Sequence, residues 1–260
     1  MLLAIDVGNT NIVLGVFEGR ELVRSWRLQT MRDRTADELG LTVDGLLANS
    51  RIDRSAIRGV VLGSVVPPLT NTVVGMLWKY FERMPLVVDP AGNAGMPIRY
   101  SNPSEVGADR IVNAIAAYQQ FGDNGRPLIV CDFGTATTLD AVSGAGEYLG
   151  GAICPGVTIS ADALFQRAAR LPRIEVRKPE TVIGRTTVGA MESGLFFGYV
   201  GMVEGLVRRM NVELGGNAVC VATGGLAVVI APETKLFHHV DVELTLQGLR
   251  MVWERNQQVS

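Results

Sequence analysis

Two aspartates stand in the same setting, 126 residues apart. Asp6 lies in "LAIDVGNTNIVLGVF", which starts at Leu3, and Asp132 lies in "IVCDFGTATTLDAV", which starts at Ile129. Each stretch reads as an apolar strand, then Asp-x-Gly, then short polar residues, then a second apolar strand. In one copy, turn chemistry would suffice to explain the glycine and asparagine, because both suit tight hairpins. Two copies point to phosphate. Glycine lets the backbone approach phosphate oxygens closely, and Asn and Thr side chains and turn N–H groups donate to them. A carboxylate cannot bind phosphate directly, so Asp6 and Asp132 must hold a cation or its water shell between themselves and the anion. Two such hairpins suit a nucleotide triphosphate bound in a cleft.

A third candidate is "GADR", Gly107 to Arg110. A carboxylate at Asp109 can accept a substrate hydroxyl proton as the oxygen attacks a γ-phosphoryl group, while positioning and charge stabilisation do most of the work. Arg110 suits a substrate carboxylate or phosphate oxygens. Taken alone, the pair reads equally as a surface Asp–Arg contact. The only histidines are His238 and His239, so a serine–histidine triad or a zinc site has little to work with and the general base falls to a carboxylate. Lys79, Lys178 and Lys235 are the only lysines, and none sits in a G-x-x-x-x-G-K-[ST] context. "GNTNIVLG" spaces its glycines too widely for a dinucleotide fingerprint.

The elements that must position these residues follow from the same repeat. The chain has 260 residues, 47% of them hydrophobic and 19% charged, which suits a well-packed soluble protein. A weaker echo pairs "VVLGSVVPPL" (Val60 to Leu69) with "VCVATGGLAVV" (Val219 to Val229), each a strand running into a small, polar turn. The expectation is a duplicated α/β chain with one half over residues 1–121 and the other over 122–260. Helical apolar spacing marks Thr35 to Ser50, Ser104 to Phe121 with Ser104 as N-cap, and Leu244 to Arg255. It also marks Thr187 to Leu214, stepped by Gly194, Gly198, Gly201 and Gly205. These glycines read either as a close-packing face for another helix or subunit, or as a kinked core helix.

A net charge of -2 gives no electrostatic case for nucleic acid or an anionic membrane. The first segment lacks a positive n-region and is broken by Asp6, so it does not read as a signal peptide. No apolar run approaches the roughly 20 residues that span a bilayer. Cys131, Cys154 and Cys220 are widely spaced among apolar or small residues, as expected of buried free thiols in a reducing cytoplasm.

The blocks "DVGNTNIVLGVF", "DFGTATTLDAV" and "VATGGLA" (Val221 to Ala227) resemble the two phosphate motifs and the adenosine motif of the acetate/sugar kinase, chaperone and actin superfamily. That resemblance implies two tandem ribonuclease-H-like domains. Within the superfamily the chain is similar to type III pantothenate kinases through "DVGNTN", "SVVPPL", "PIRYSNPSEVGADRIVNA", "CDFGTATTLD", "GGAICPG" and "IGRTTVGAMESG". The resemblance implies ATP-dependent phosphorylation of pantothenate at the entry to coenzyme A synthesis, in the cytoplasm, by a homodimer.

The same resemblance assigns ATP binding to Asp6, Val7, Gly8, Asn9, Thr10, Asn11, Ile12 and Val13, and to Thr135. It makes Asp132 the holder of a monovalent cation, potassium or ammonium, and implies ATP with a divalent cation, magnesium. It makes Asp109 the general base, with Tyr100, Gly107, Ala108 and Arg110 about the pantothenate. Thr187 reaches substrate across a dimer interface, with Thr186 the alternative because this block reads Gly-Arg-Thr-Thr where many relatives have Asn. Asp140, Asp162 and Glu105 stay outside the site. The alternatives are a non-catalytic regulatory homologue of the same fold and a kinase for another small hydroxylated substrate. The retention of Asp6, Asp109 and Asp132 argues against the first, and the Tyr100 to Arg110 block against the second.

Overall fold

The computed structural model describes residues 1–168 and 171–258, and the chain divides into two compact units. Met1–Ala116 and Leu244–Ser260 form one, and Ala117–Glu243 the other.

The first unit is built on β1 (Leu2–Val7), β2 (Asn11–Glu18), β3 (Glu21–Gln29), β4 (Gly59–Ser64) and β5 (Leu86–Val87), in the order β3-β2-β1-β4-β5. β1 pairs antiparallel with β2 and parallel with β4, and the outer strand β3 is largely exposed and charged. Side chains alternate between faces along a strand. Leu3, Ile5 and Val7 therefore join a core with Leu39, Val43 and Leu47 of α1 (Ala36–Asn49) and Leu69, Val73 and Leu77 of α2 (Pro67–Phe81). Thr35 caps α1 in a full capping box with Glu38.

The opposite face carries Ala4 and Asp6 beside Gly15, Gly59 and Gly63, and takes the closing helix α7 (Leu244–Gln257). A Cβ at Gly15, Gly59 or Gly63 would press on Leu246, Trp253 or Leu249 of α7. The glycines make room for that helix. The boundary read from the repeat grouped residues 244–260 with the second half, whereas α7 packs on the first sheet.

α3 (Ala108–Phe121) begins later than the apolar spacing suggests. Ser104 does not cap it. Residues Pro103–Glu105 form a separate 3-10 turn capped by Asn102, whose side chain accepts from the Ser104 N–H.

The second unit repeats the pattern with β6 (Leu128–Phe133), β7 (Ala136–Val142), β8 (Tyr148–Pro155), β9 (Val219–Thr223) and β10 (His239–Val240), in the order β10-β9-β6-β7-β8. Strand for strand this matches the first sheet. Ile129, Cys131 and Phe133 pack toward α4 (Val157–Arg167) and α5 (Thr187–Glu213), and the short α6 (Ala227–Ile230) follows β9. α5 runs unbroken, and a Cβ at Gly194, Gly198 or Gly201 would meet nothing within 4 Å. Gly194, Gly198 and Gly201 lie on the exposed side of the helix and not in the core.

Cys131 and Cys220 are buried and reduced, with burial pushing the Cys220 thiol up to about 11. Cys154 is only half-buried, unlike the expectation. Among the described residues no helix is long and apolar enough to cross a membrane.

Candidate active site

In the first unit, Asp6 is half-buried near the end of β1, opposite Val13 of β2 and beside Gly63 of β4. Asn9 and Thr10 are exposed at the bend. The Gly8 N–H donates to the Asn11 carbonyl at 3.0 Å, which closes the turn. Thr30, just past β3, supports it from outside. Its hydroxyl donates to the Gly8 carbonyl at 2.7 Å and its N–H to the Thr10 carbonyl at 2.9 Å. These bonds fix the backbone of the bend between β1 and β2. Val7, Ile12 and Val13 are strand residues, of which Val7 and Ile12 are buried.

Asp109 sits in the first turn of α3. The Arg110 N–H donates to its Oδ1 at 2.8 Å, and a Cβ at Gly107 would collide with that same oxygen. A side chain at 107 would therefore displace the carboxylate from this position. Burial pushes the Asp109 carboxyl above its usual range, against the opposing pull of the Arg110 N–H and guanidinium. Arg110 itself is 7% exposed, so the pair is not a surface contact. Ala108 is buried and Tyr100 is 37% exposed. Glu105 accepts from the Asn102 amide at 2.9 Å and belongs to the preceding turn.

In the second unit, Asp132 lies opposite Thr138 of β7 and beside Thr223 of β9. Gly134 and the exposed Thr135 form the bend, closed by the Gly134 N–H donating to the Ala136 carbonyl at 3.1 Å. Gly156 of the "GGAICPG" block and Gly224 of "VATGGLA" shape this corner. A Cβ at Gly156 would collide with the Thr135 carbonyl, and one at Gly224 with the Asp132 carboxylate. Gly224 also has φ of +90°, which only glycine adopts freely. The Thr223 hydroxyl is buried and has no hydrogen-bond partner among the described residues. The Asp132 carboxylate and the neighbouring Thr223 hydroxyl are oxygen donors of the kind a hard cation takes. Among the described residues no group of three or more His, Cys, Asp or Glu gathers as a metal cluster.

Asp140 is structural: it accepts from the Tyr148 hydroxyl at 2.7 Å and from Thr138 at 2.9 Å. Asp162 pairs with Arg173 at the surface. At the start of α5, Thr186 is the N-cap, accepting from the Gly189 N–H at 3.0 Å, and Thr187 is the first helical residue and exposed.

Two sheets of one topology, each with an Asp-x-Gly bend, define an actin-like ATPase fold of the kind used by sugar kinases. Solved structures agree on the fold. A Campylobacter jejuni protein provisionally described as a Baf family transcriptional activator has a TM-score of 0.62 at 18% identity, covering 98% of this chain and 99% of its own. The ROK hexokinase of Thermus thermophilus has a TM-score of 0.51 at 14% identity, covering 99% of each chain.

The family is narrower. The type III pantothenate kinase family model matches residues 2–209. The type III pantothenate kinase of Moorella thermoacetica is 55% identical over 256 residues, covering 98% of this chain and 100% of its own. The chain belongs to the type III pantothenate kinase family.

Proposed function

We propose that this protein phosphorylates pantothenate with ATP to give 4'-phosphopantothenate, the entry step of coenzyme A synthesis. The observation that carries the reading, beside the family, is the Asp109 carboxyl held in desolvating surroundings at the head of α3. A base with a raised pKa is better matched to a hydroxyl proton at working pH. The substrate hydroxyl oxygen forms a bond to the γ-phosphorus, the bond to the ADP oxygen breaks, and the hydroxyl proton passes to Asp109. Buried Arg110 offers a guanidinium suited to the pantothenate carboxylate, with Tyr100, Gly107 and Ala108 lining the substrate site.

Asp6 to Val13 and Thr135 bind ATP in this reading, with a divalent cation, magnesium, held by the nucleotide. Asp132 and the Thr223 hydroxyl hold a monovalent cation, potassium or ammonium, which offsets charge beside the phosphates. Thr187 contacts substrate in preference to Thr186, whose oxygen is engaged as a helix cap. The site residues act in a cytoplasmic homodimer. The outward glycine face of α5, where a Cβ at Gly194, Gly198 or Gly201 would meet nothing within 4 Å among the described residues, supports the subunit contact.

The test is ATP consumption by the purified protein with pantothenate, with and without potassium. Turnover that requires pantothenate and rises with potassium is expected. Phosphorylation of other small alcohols in preference to pantothenate would overturn the assignment. Sedimentation should show one species near twice the 27.9 kDa chain mass.

A further inference from the structure

α7 touches two things at once. Its Leu246, Leu249 and Trp253 lie against Gly15, Gly63 and Gly59 of the first sheet, on the face that carries Asp6. Its Thr245 and Gly248, three residues apart on another side of the helix, lie against α3. The Thr245 hydroxyl donates to the Asn113 side-chain oxygen at 2.8 Å, and Asn113 is 1% exposed. A Cβ on Gly248 would collide with the Val112 carbonyl oxygen and come within 2.6 Å of its carbon, so here one helix backbone rests on the other. Val112 and Asn113 follow Asp109 by three and four residues, which places them one turn further along the same side of α3.

We propose that Thr245 and Gly248 are positioning residues for the base: α7 is the spacer that sets the Asp109 turn of α3 against the sheet end carrying Asp6. This rests on Asp109 being the base. A rigid spacer is needed because proton transfer tolerates little error, and a displacement of about 1 Å can cost on the order of 10²-fold in rate. Glycine at 248 brings α3 to backbone contact, and the Thr245–Asn113 bond fixes its rotation. The contacts of Thr245 and Gly248 shown here are to α3, so KM for ATP should be little affected.

The experiment compares Thr245→Val, Thr245→Ser and Gly248→Ala with the parent dimeric enzyme. Gly59→Ala serves as the control, because it disturbs α7 against Trp253 on its other side. The readouts are kcat, KM for ATP, the pH profile of kcat, and the melting midpoint. Thr245→Val and Gly248→Ala should lower kcat by about 10–100-fold with KM for ATP within about twofold. The acid limb of the profile should move, because the surroundings that desolvate Asp109 change. Thr245→Ser, which keeps the hydroxyl, should restore both. Gly59→Ala should lower the melting midpoint and leave the acid limb in place.

The proposal is overturned if Thr245→Val and Gly248→Ala melt earlier yet keep the parent kcat and acid limb, or if Thr245→Ser is as impaired as Thr245→Val. It is also overturned if Gly59→Ala moves the limb equally, since the effect would then be general loosening of α7. Asp109→Asn, measured alongside, separates the two failures. A near-parent kcat there removes the base and this inference with it, whereas its collapse beside normal Thr245 and Gly248 variants removes only the spacer.

Discussion

The two Asp-x-Gly hairpins recur in the same strand order and differ in what supports them. Gly8, Asn9 and Thr10 separate β1 from β2, whereas only Gly134 and Thr135 separate β6 from β7. The longer first bend is braced by added hydrogen bonds, from the Thr30 hydroxyl and N–H. The shorter second bend is shaped by missing side chains, with Gly156 under the Thr135 carbonyl and Gly224 beside Asp132. In the proposed reading the braced bend faces the phosphates, and the close backbone approach at Gly224 fixes the Asp132 carboxylate beside the cation. One strand order thus carries two differently supported bends.

The division is sharpest at proton transfer, which the proposed role of Asp109 puts in the first unit. Asp109→Asn should lower kcat by about 10²–10⁴-fold, with KM for ATP little changed. Steady-state kinetics with varied ATP and pantothenate give the comparison. A kcat near the parent value would leave the first unit with nucleotide binding alone.

The next largest effect belongs to the second bend. Gly224→Ala keeps Asp132 but drives a methyl into its carboxylate, so half-maximal activation should need about 10–100-fold more potassium. Asp132→Asn should abolish the response. If Gly224→Ala and Asp132→Asn both titrate with potassium as the parent does, the two bends do the same job and the contrast between them is empty.

Much of this was legible in the sequence because it depends on local pattern. The two hairpins, α1, α5 and α7 follow from alternation and helical spacing, and the spacing of 126 residues between Asp6 and Asp132 betrays the repeated topology. What escaped depends on contacts between distant segments. Nothing local says that residues 244–257 return to the first sheet, since that is decided by glycines at 15, 59 and 63. The same holds for Gly156 and Gly224, whose neighbours lie about 20 and 90 residues away in the chain. Ser104 does not cap α3 because Asn102 and Pro103 start their own turn first.

Thr30 tests the bracing of the first bend more gently. Thr30→Val keeps the shape and removes the donor to the Gly8 carbonyl. A typical hydrogen bond is worth about 0.5–1.5 kcal/mol, so KM for ATP should rise by roughly 2–12-fold with the potassium response unchanged. An altered potassium curve with normal KM for ATP would reverse the assignment of roles to the two bends.

The smallest effect is on stability, and it reads the surroundings of Asp109 independently of turnover. Burial raises the folded-state pKa of this carboxyl above its unfolded value, with the Arg110 N–H and guanidinium opposing. Between the two values the folded protein binds more protons than the unfolded chain, so the stabilising contribution is full below the unfolded pKa. It is lost as pH rises through the folded one. At neutral pH the ionised carboxylate is therefore a burden on the fold, which asparagine, uncharged and of the same shape, does not impose. Asp109→Asn should melt a few degrees higher than the parent at neutral pH, and the difference should close as the pH falls through the unfolded carboxylate range, where the parent residue is also neutral. Asp132→Asn, measured over the same range, gives the profile of the second bend for comparison. Parallel melting curves for the parent and Asp109→Asn at every pH would mean that Asp109 is as well solvated folded as unfolded, and a carboxylate so placed would have no advantage as the base.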